Sequence, residues 1–190
     1  MRMLLAFSFL LSAAAVETVA VPVLRVVDGD TIEVTAEVDG ASIVATVRLL
    51  YVACPTSVTA DAVGSPAEPR LATEALRALL PIGAQVVLSA PGETFVRDGE
   101  QRMLAVVSRR DGGEPAISIN LSMIRAGWSP YWRKNGDAQP DEHAKLQLAE
   151  ADADRARAGY WATAREWMLA KGAERTPPTA SEQAPQAPSP

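Results

Sequence analysis

Three stretches hold most of the side chains that could do chemistry. Asp28-Gly29-Asp30-Thr31 sets two carboxylates two positions apart. Val47-Arg48-Leu49-Leu50 carries one guanidinium in an apolar run. Trp128-Ser129-Pro130-Tyr131-Trp132-Arg133-Lys134 interleaves aromatics with cations. An inward-facing arginine on an apolar strand is costly unless an anion meets it, either a local acid or a ligand. The aromatic stretch could stack nucleotide bases and attract phosphates, or Trp128 and Tyr131 could pack beneath a loop as core. Asp28-Gly29-Asp30 also suits a turn in which a carboxylate caps the strand entry.

The chain has one cysteine, Cys54, and one histidine, His143. That excludes an intramolecular disulfide, a Cys/His zinc site and a His-dependent nucleophilic triad. Any metal would rest on oxygen ligands, in calcium- or magnesium-type chemistry. Cys54 is either a reactive thiol able to bridge two chains or a small, half-buried residue at a strand end. His143 falls near the start of a long helix and is expected at the surface.

Short elements must position these groups. Thr31 to Val38 alternates, with Ile32, Val34, Ala36 and Val38 on one face, which predicts a half-buried strand. Asp39-Gly40 marks a tight hairpin turn, and Ile43 to Val52 returns as a longer strand. Val21 to Val27 is rich in β-branched residues and reads as a partner strand. Thr56 to Pro69 has no apolar period and reads as a loop; Ala72, Ala75, Leu76, Leu79 and Leu80 follow helical spacing. Gln85–Ser89 and Arg102–Ser108 read as strands, Ser118–Ala126 as a short helix and Asp141–Ala158 as the longest one. A last short helix is expected over Ala162–Lys171. Several short strands with interposed helices fit a small α+β barrel domain.

The order and spacing of several motifs bring in a family. Asp28-Gly29-Asp30-Thr31 and Val47-Arg48-Leu49-Leu50 are joined by Ala75-Leu76-x-x-Leu79-Leu80 and by Arg102-Met103-Leu104-Ala105-Val106. Then come Ile119-Asn120-Leu121-x-x-Ile124-x-x-Gly127, Glu150-Ala151 and Trp161. From Val21 to Trp161 the chain resembles the staphylococcal nuclease (thermonuclease) family. The resemblance implies an α+β fold, a five-stranded OB-fold β-barrel with three helices. It also implies a site in which calcium and two arginines hold a phosphodiester while a carboxylate assists attack by water. A planar guanidinium suits that task because it binds two phosphate oxygens and keeps its charge.

By the resemblance, Asp30 matches the first calcium carboxylate, Arg48 the first phosphate-binding arginine and Arg102 the second. Arg102 sits in Glu100-Gln101-Arg102, where the family has Tyr-Gly-Arg. The plainer alternatives are a turn-capping Asp30, an Arg48 paired with a local acid, and a solvated Arg102. Ala53 stands where the family has its second calcium carboxylate, and Thr56 where it has its glutamate base. A threonine hydroxyl cannot act as a general base near neutral pH, and losing such a base costs about 10²–10⁴ in rate. Asp61, Glu68 or Glu100 could swing in as a substitute, the loop from Thr56 to Pro69 permitting it though nothing in the spacing demands it.

Met1-Arg2-Met3, the apolar run Leu4 to Leu11 and Ser12-Ala13-Ala14-Ala15 read as a signal peptide within 1–20, with the mature chain beginning between Val16 and Val21. The expected order is then the barrel domain at 21–161, a short C-terminal helix at 162–175 and a disordered Pro-rich tail at 176–190. Hydrophobic content of 48% supports a packed core. The net charge of −5 argues against a strongly cationic nucleic-acid binder but allows a site with a few placed arginines.

Two functions are carried forward. One is an exported, secreted or periplasmic thermonuclease-like protein, calcium-dependent if active, whose hydrolysis of DNA or RNA is weakened or lost through Ala53 and Thr56. The other is a non-catalytic OB-fold module binding nucleic acid, an anion or a protein partner. A single-stranded nucleic acid or a nucleotide phosphate is the expected partner. A monomer without a stable membrane span is the expected form.

Overall fold

A bend in the first strand decides how this chain closes on itself. The computed structural model describes residues 18–38, 41–56, 66–92, 94–109 and 116–175. Strand β1 (Thr18–Val26) pairs through Thr18–Pro22 with β4 (Gln85–Ser89) and through Val23–Val26 with β2 (Thr31–Val38). Its register shifts between Val23 and Arg25, and such an irregularity bends a strand enough for it to serve two sides of a barrel. Strand β2 continues antiparallel into β3 (Ala41–Leu49), and the pairing Val38↔Ala41 brackets the expected turn at 39–40, which lies outside the described residues.

Strand β6 (Met103–Arg109) completes the ring. It runs antiparallel to β4 and parallel to β3, with Val47, Arg48 and Leu49 opposite Met103, Leu104 and Ala105. The result is the expected closed five-stranded barrel, of mixed rather than purely antiparallel pairing. The short strands β5 (Val96–Arg97) and β7 (Ile117–Ser118) are side branches on β6. Alternation fills the interior: Ile32, Val34, Val47, Leu49, Leu88, Ala105 and Val107 are buried on one face.

Helices cover the barrel. Helix α1 (Arg70–Leu79) buries Ala72 and Leu76, and α2 (Ile119–Arg125) buries Ile119, Met123 and Ile124. Helix α3 (Pro140–Ala156) buries Leu146, Ala149 and Ala153. It has proline in its first turn and Asp141 and Glu142 beside it, an arrangement that favours the positive end of the helix dipole. The expected last helix is two pieces, α4 (Tyr160–Thr163) and α5 (Arg165–Gly172), separated at Ala164, whose backbone leaves the helical region. None of the described helices is long and apolar enough to cross a membrane.

One expected strand is shorter than its pattern. Ile43 to Val52 has an apolar run, yet β3 stops at Leu49 because Leu50 and Tyr51 turn, with Tyr51 at φ 66°. The freed backbone is satisfied elsewhere: Asn120 Nδ2 donates to the Leu50 carbonyl at 2.7 Å, and the Trp132 N–H donates to the Tyr51 carbonyl at 2.9 Å. The turn carries Val52, Ala53 and Cys54 across the mouth of the barrel. Residues 57–65 of the expected loop, residues 1–17 of the expected signal peptide and all of the expected tail at 176–190 lie outside the described residues.

Candidate functional site

The turn between β1 and β2 divides its two aspartates by role. Asp28 Oδ1 accepts the Asp30 N–H at 3.0 Å, so Asp28 is the turn-capping residue. Burial, then the neighbouring charge of Asp30, pushes the Asp28 carboxyl above its usual range. Asp30 points inward and is only 3% exposed. Its Oδ1 accepts from the Thr31 hydroxyl at 2.9 Å. Its Oδ2 accepts from Arg48 Nη2 and from the Cys54 N–H, both at 3.0 Å.

Gly29 makes this turn possible. A Cβ there would lie 2.7 Å from the Cβ atoms of both Ala72 and Cys54, so α1 and the 52–54 segment could not approach. Ser129 fixes the same segment from the other side, its Oγ accepting the Ala53 N–H at 2.8 Å. Cys54 is a buried thiol whose Sγ donates to the Gly29 carbonyl at 3.1 Å. Burial first, then the Asp30 and Asp28 charges, holds it well above the ordinary thiol range, far from a reactive thiolate.

Arg48 leaves β3 opposite Thr31 and reaches Asp30 with its side chain 12% exposed. Its guanidinium carbon lies 4.4 Å from the centroid of the Trp132 ring, within cation–π range. Its Nη2 also approaches the Val52 carbonyl at 3.4 Å, while its Nε is buried with no hydrogen-bond partner. A buried, unsatisfied cationic donor is costly and marks where an acceptor fits.

Arg102, at the entry to β6, is held by Asp98: Nε donates to Asp98 Oδ2 at 2.8 Å, and Glu100 Oε1 stands 3.4 Å from Nη2. Burial pushes the Asp98 carboxyl up, but bonding to Arg102 outweighs it and holds Asp98 below the usual range. The parallel β3–β6 seam brings Arg48 and Arg102 to one cleft, so the chemistry-bearing strands meet although distant in sequence.

That cleft has a volume of about 520 Å³ and is lined by Asp30, Arg48, Ala53, Cys54, Thr56 and Arg102 among others. Asp30, Arg48 and Arg102 are therefore together. Glu100 lines the cleft; Glu68 instead pairs with Arg70, and Asp61 lies outside the described residues. In the aromatic stretch, Tyr131 is core, its hydroxyl 2.9 Å from His143 Nδ1, which makes His143 a half-buried partner rather than a surface residue. Trp132 is the member that faces the cleft, with Lys134 Nζ 5.9 Å and Lys171 Nζ 5.7 Å from its ring centroid.

Sequence reasoning missed the far wall. Trp167, Ala170 and Lys171 of α5, with Glu174 just beyond it, complete the lining. Trp167 and Lys171 are four residues apart and so share a helix face, a signal visible in the sequence but with nothing there to say what that face meets. Asp98, the partner of Arg102, was signalled only by an Asp-Gly turn. Among the described lining residues, four cations (Arg48, Arg102, Lys134, Lys171) face three carboxylates (Asp30, Glu100, Glu174). The cleft thus carries a local surplus of positive charge on a chain of net charge −5.

The model for the family described as staphylococcal nuclease homologue matches residues 46–163, more than half of the chain. The chain belongs to the staphylococcal nuclease family. No curated protein matches it. Within this nuclease-family scaffold, Arg48 and Arg102 lie inside the matched span, Asp30 precedes it and α5 follows it. The family depends on calcium in general. The donors here do not fit a calcium shell: Asp30 is enclosed by three protein donors and Ala53 offers a methyl group. No group of three or more acidic, His or Cys side chains suited to a metal occurs among the described residues.

Proposed function

We propose that this nuclease-family protein is exported and binds single-stranded nucleic acid in the Arg48–Trp132 cleft, with phosphodiester hydrolysis weak or absent. The observation that carries the binding is the unpartnered Arg48 Nε beside Trp132. A phosphate oxygen satisfies a buried guanidinium donor, and the Trp132 ring holds that guanidinium in place at the cleft. Arg102 supplies a second cation on the same wall. The weakness of hydrolysis follows from Asp30, which in this reading serves Arg48 rather than a metal, and from Ala53 and Thr56, which offer neither a ligand charge nor a base. Among the described residues, Glu100 rather than Glu68 lines the cleft, and its approach to Arg102 keeps residual water activation within chemical reach.

Fluorescence anisotropy with a short labelled oligothymidylate tests this. Binding at low salt that falls as salt rises, and that Arg48→Ala weakens about tenfold, is the expected result. Gel assays with calcium should show no more cleavage than with chelator. Absence of binding at low salt overturns the proposal, and calcium-stimulated cleavage returns the protein to the active nucleases.

A further inference from the structure

Helix α5 lies beyond the family-matched span, which ends at residue 163, yet it forms one wall of the cleft. Its position is fixed. Met168 is fully buried, and Gly172 packs so closely that a Cβ there would lie 3.3 Å from Pro130 Cβ. Glu174 then locks the end of the helix to the site, accepting from Trp132 Nε1 and from Lys171 Nζ, both at 2.9 Å. A wall held at this many points is a preorganised surface rather than a passing contact.

Its two cleft-facing residues of interest differ from those on the barrel. Trp132 already has Arg48 across its ring. Trp167 is half-buried in the lining, and among the described residues no cation or aromatic ring covers it. It is the indole left open to stack. Lys171, one helical turn on, keeps about a third of its side chain exposed at 30% and points its ammonium toward Trp132. The cleft's 520 Å³ falls within the about 300–1,000 Å³ of sites that enclose a small organic ligand, ample for one nucleotide unit beyond the phosphate at Arg48.

We propose that Trp167 and Lys171 form a second subsite, outside the family-matched span, where one base of a single-stranded nucleic acid stacks on Trp167 and the adjoining phosphate meets Lys171. This rests on the binding function proposed above. Glu174 orients Lys171 and tempers its charge, so the subsite draws its selectivity from the base as well as from the phosphate.

The test compares an oligothymidylate with an abasic strand of the same phosphate count, using the full chain. Trp167→Ala should weaken the oligothymidylate about five- to hundredfold, the loss of one stacked base, and leave the abasic strand unchanged. Trp167→Phe, which keeps an aromatic face, should retain most of the affinity. Lys171→Gln should lower the slope of log affinity against log salt by about 0.7, one phosphate contact on a single strand. Equal losses on both strands for Trp167→Ala, or full affinity in that variant, overturn the stacking. An unchanged salt slope in Lys171→Gln overturns the phosphate contact and does so even if Trp167→Ala does not fold. Wild-type protein that binds neither strand defeats this inference and the proposed function together. Wild-type binding that Arg48→Ala weakens and the α5 variants do not leaves only this inference defeated.

Discussion

Asp30 and Arg48 are each other's counter-charge at the floor of the cleft, with side chains 4% and 12% exposed. Breaking a buried pair by removing one partner strands the other charge, whereas replacing both can be nearly neutral. Arg48→Ala should therefore lower the unfolding free energy by about 3–5 kcal/mol in urea denaturation. Combining Arg48→Met with Asp30→Asn should recover most of that loss; losses that merely add would mean the two side chains do not act as a unit. The pair has a structural reason to coexist whatever chemistry the cleft performs. A phosphate bound at Arg48 would have to share the guanidinium with Asp30, which tempers affinity. Arg102 is in a comparable position, held by Asp98 with Glu100 nearby.

At the scale of elements, the site depends on close approach between a turn, a strand exit and a helix. Gly29→Ala should cost about 1–3 kcal/mol by forcing α1 or the Cys54 segment outward. Gly99→Ala, where an added Cβ meets nothing within 4 Å, should leave the melting temperature nearly unchanged. Equal thermal shifts for the two would show that packing at Gly29 is not what limits the turn. Much of this was legible in the sequence. Alternation over Thr31–Val38 gave β2, helical spacing over Ala72–Leu80 gave α1, and the motif order gave the barrel. The end of β3 was not legible, because an apolar run cannot reveal that Tyr51 adopts a positive φ to hand its carbonyl to Trp132. The inward set of Asp30 was hidden for a similar reason: two aspartates in one turn look alike until Asp28 takes the cap. The role of α5 was hidden because Trp167 and Lys171 define a face but not its neighbour.

At the scale of the whole molecule, the start of β1 bears on export. Thr18, Val19 and Ala20 pair with Ser89, Leu88 and Val87, so cleavage as late as Val21 would strip three ladder residues from the barrel. Under the proposed export, mass spectrometry of the secreted fraction should place the mature N-terminus at or before Thr18, with Val16 after Ser12-Ala13-Ala14-Ala15 the expected start; a start at Val21 would refute this. The cleft's local cationic surplus on an acidic chain makes encounter with an anionic strand depend on the site rather than on overall attraction. The parallel seam between β3 and β6 has a kinetic consequence as well. Val47 to Leu49 must find Met103 to Ala105 across more than fifty intervening residues, after the local hairpin and helix contacts are available. Loop closure of that span makes the seam a late event in folding. Arg48 and Arg102 are neighbours only once it has closed, so the cleft in which binding is proposed is assembled at the end of folding. A partly folded chain, however well formed its first hairpin, lacks the two-arginine cleft.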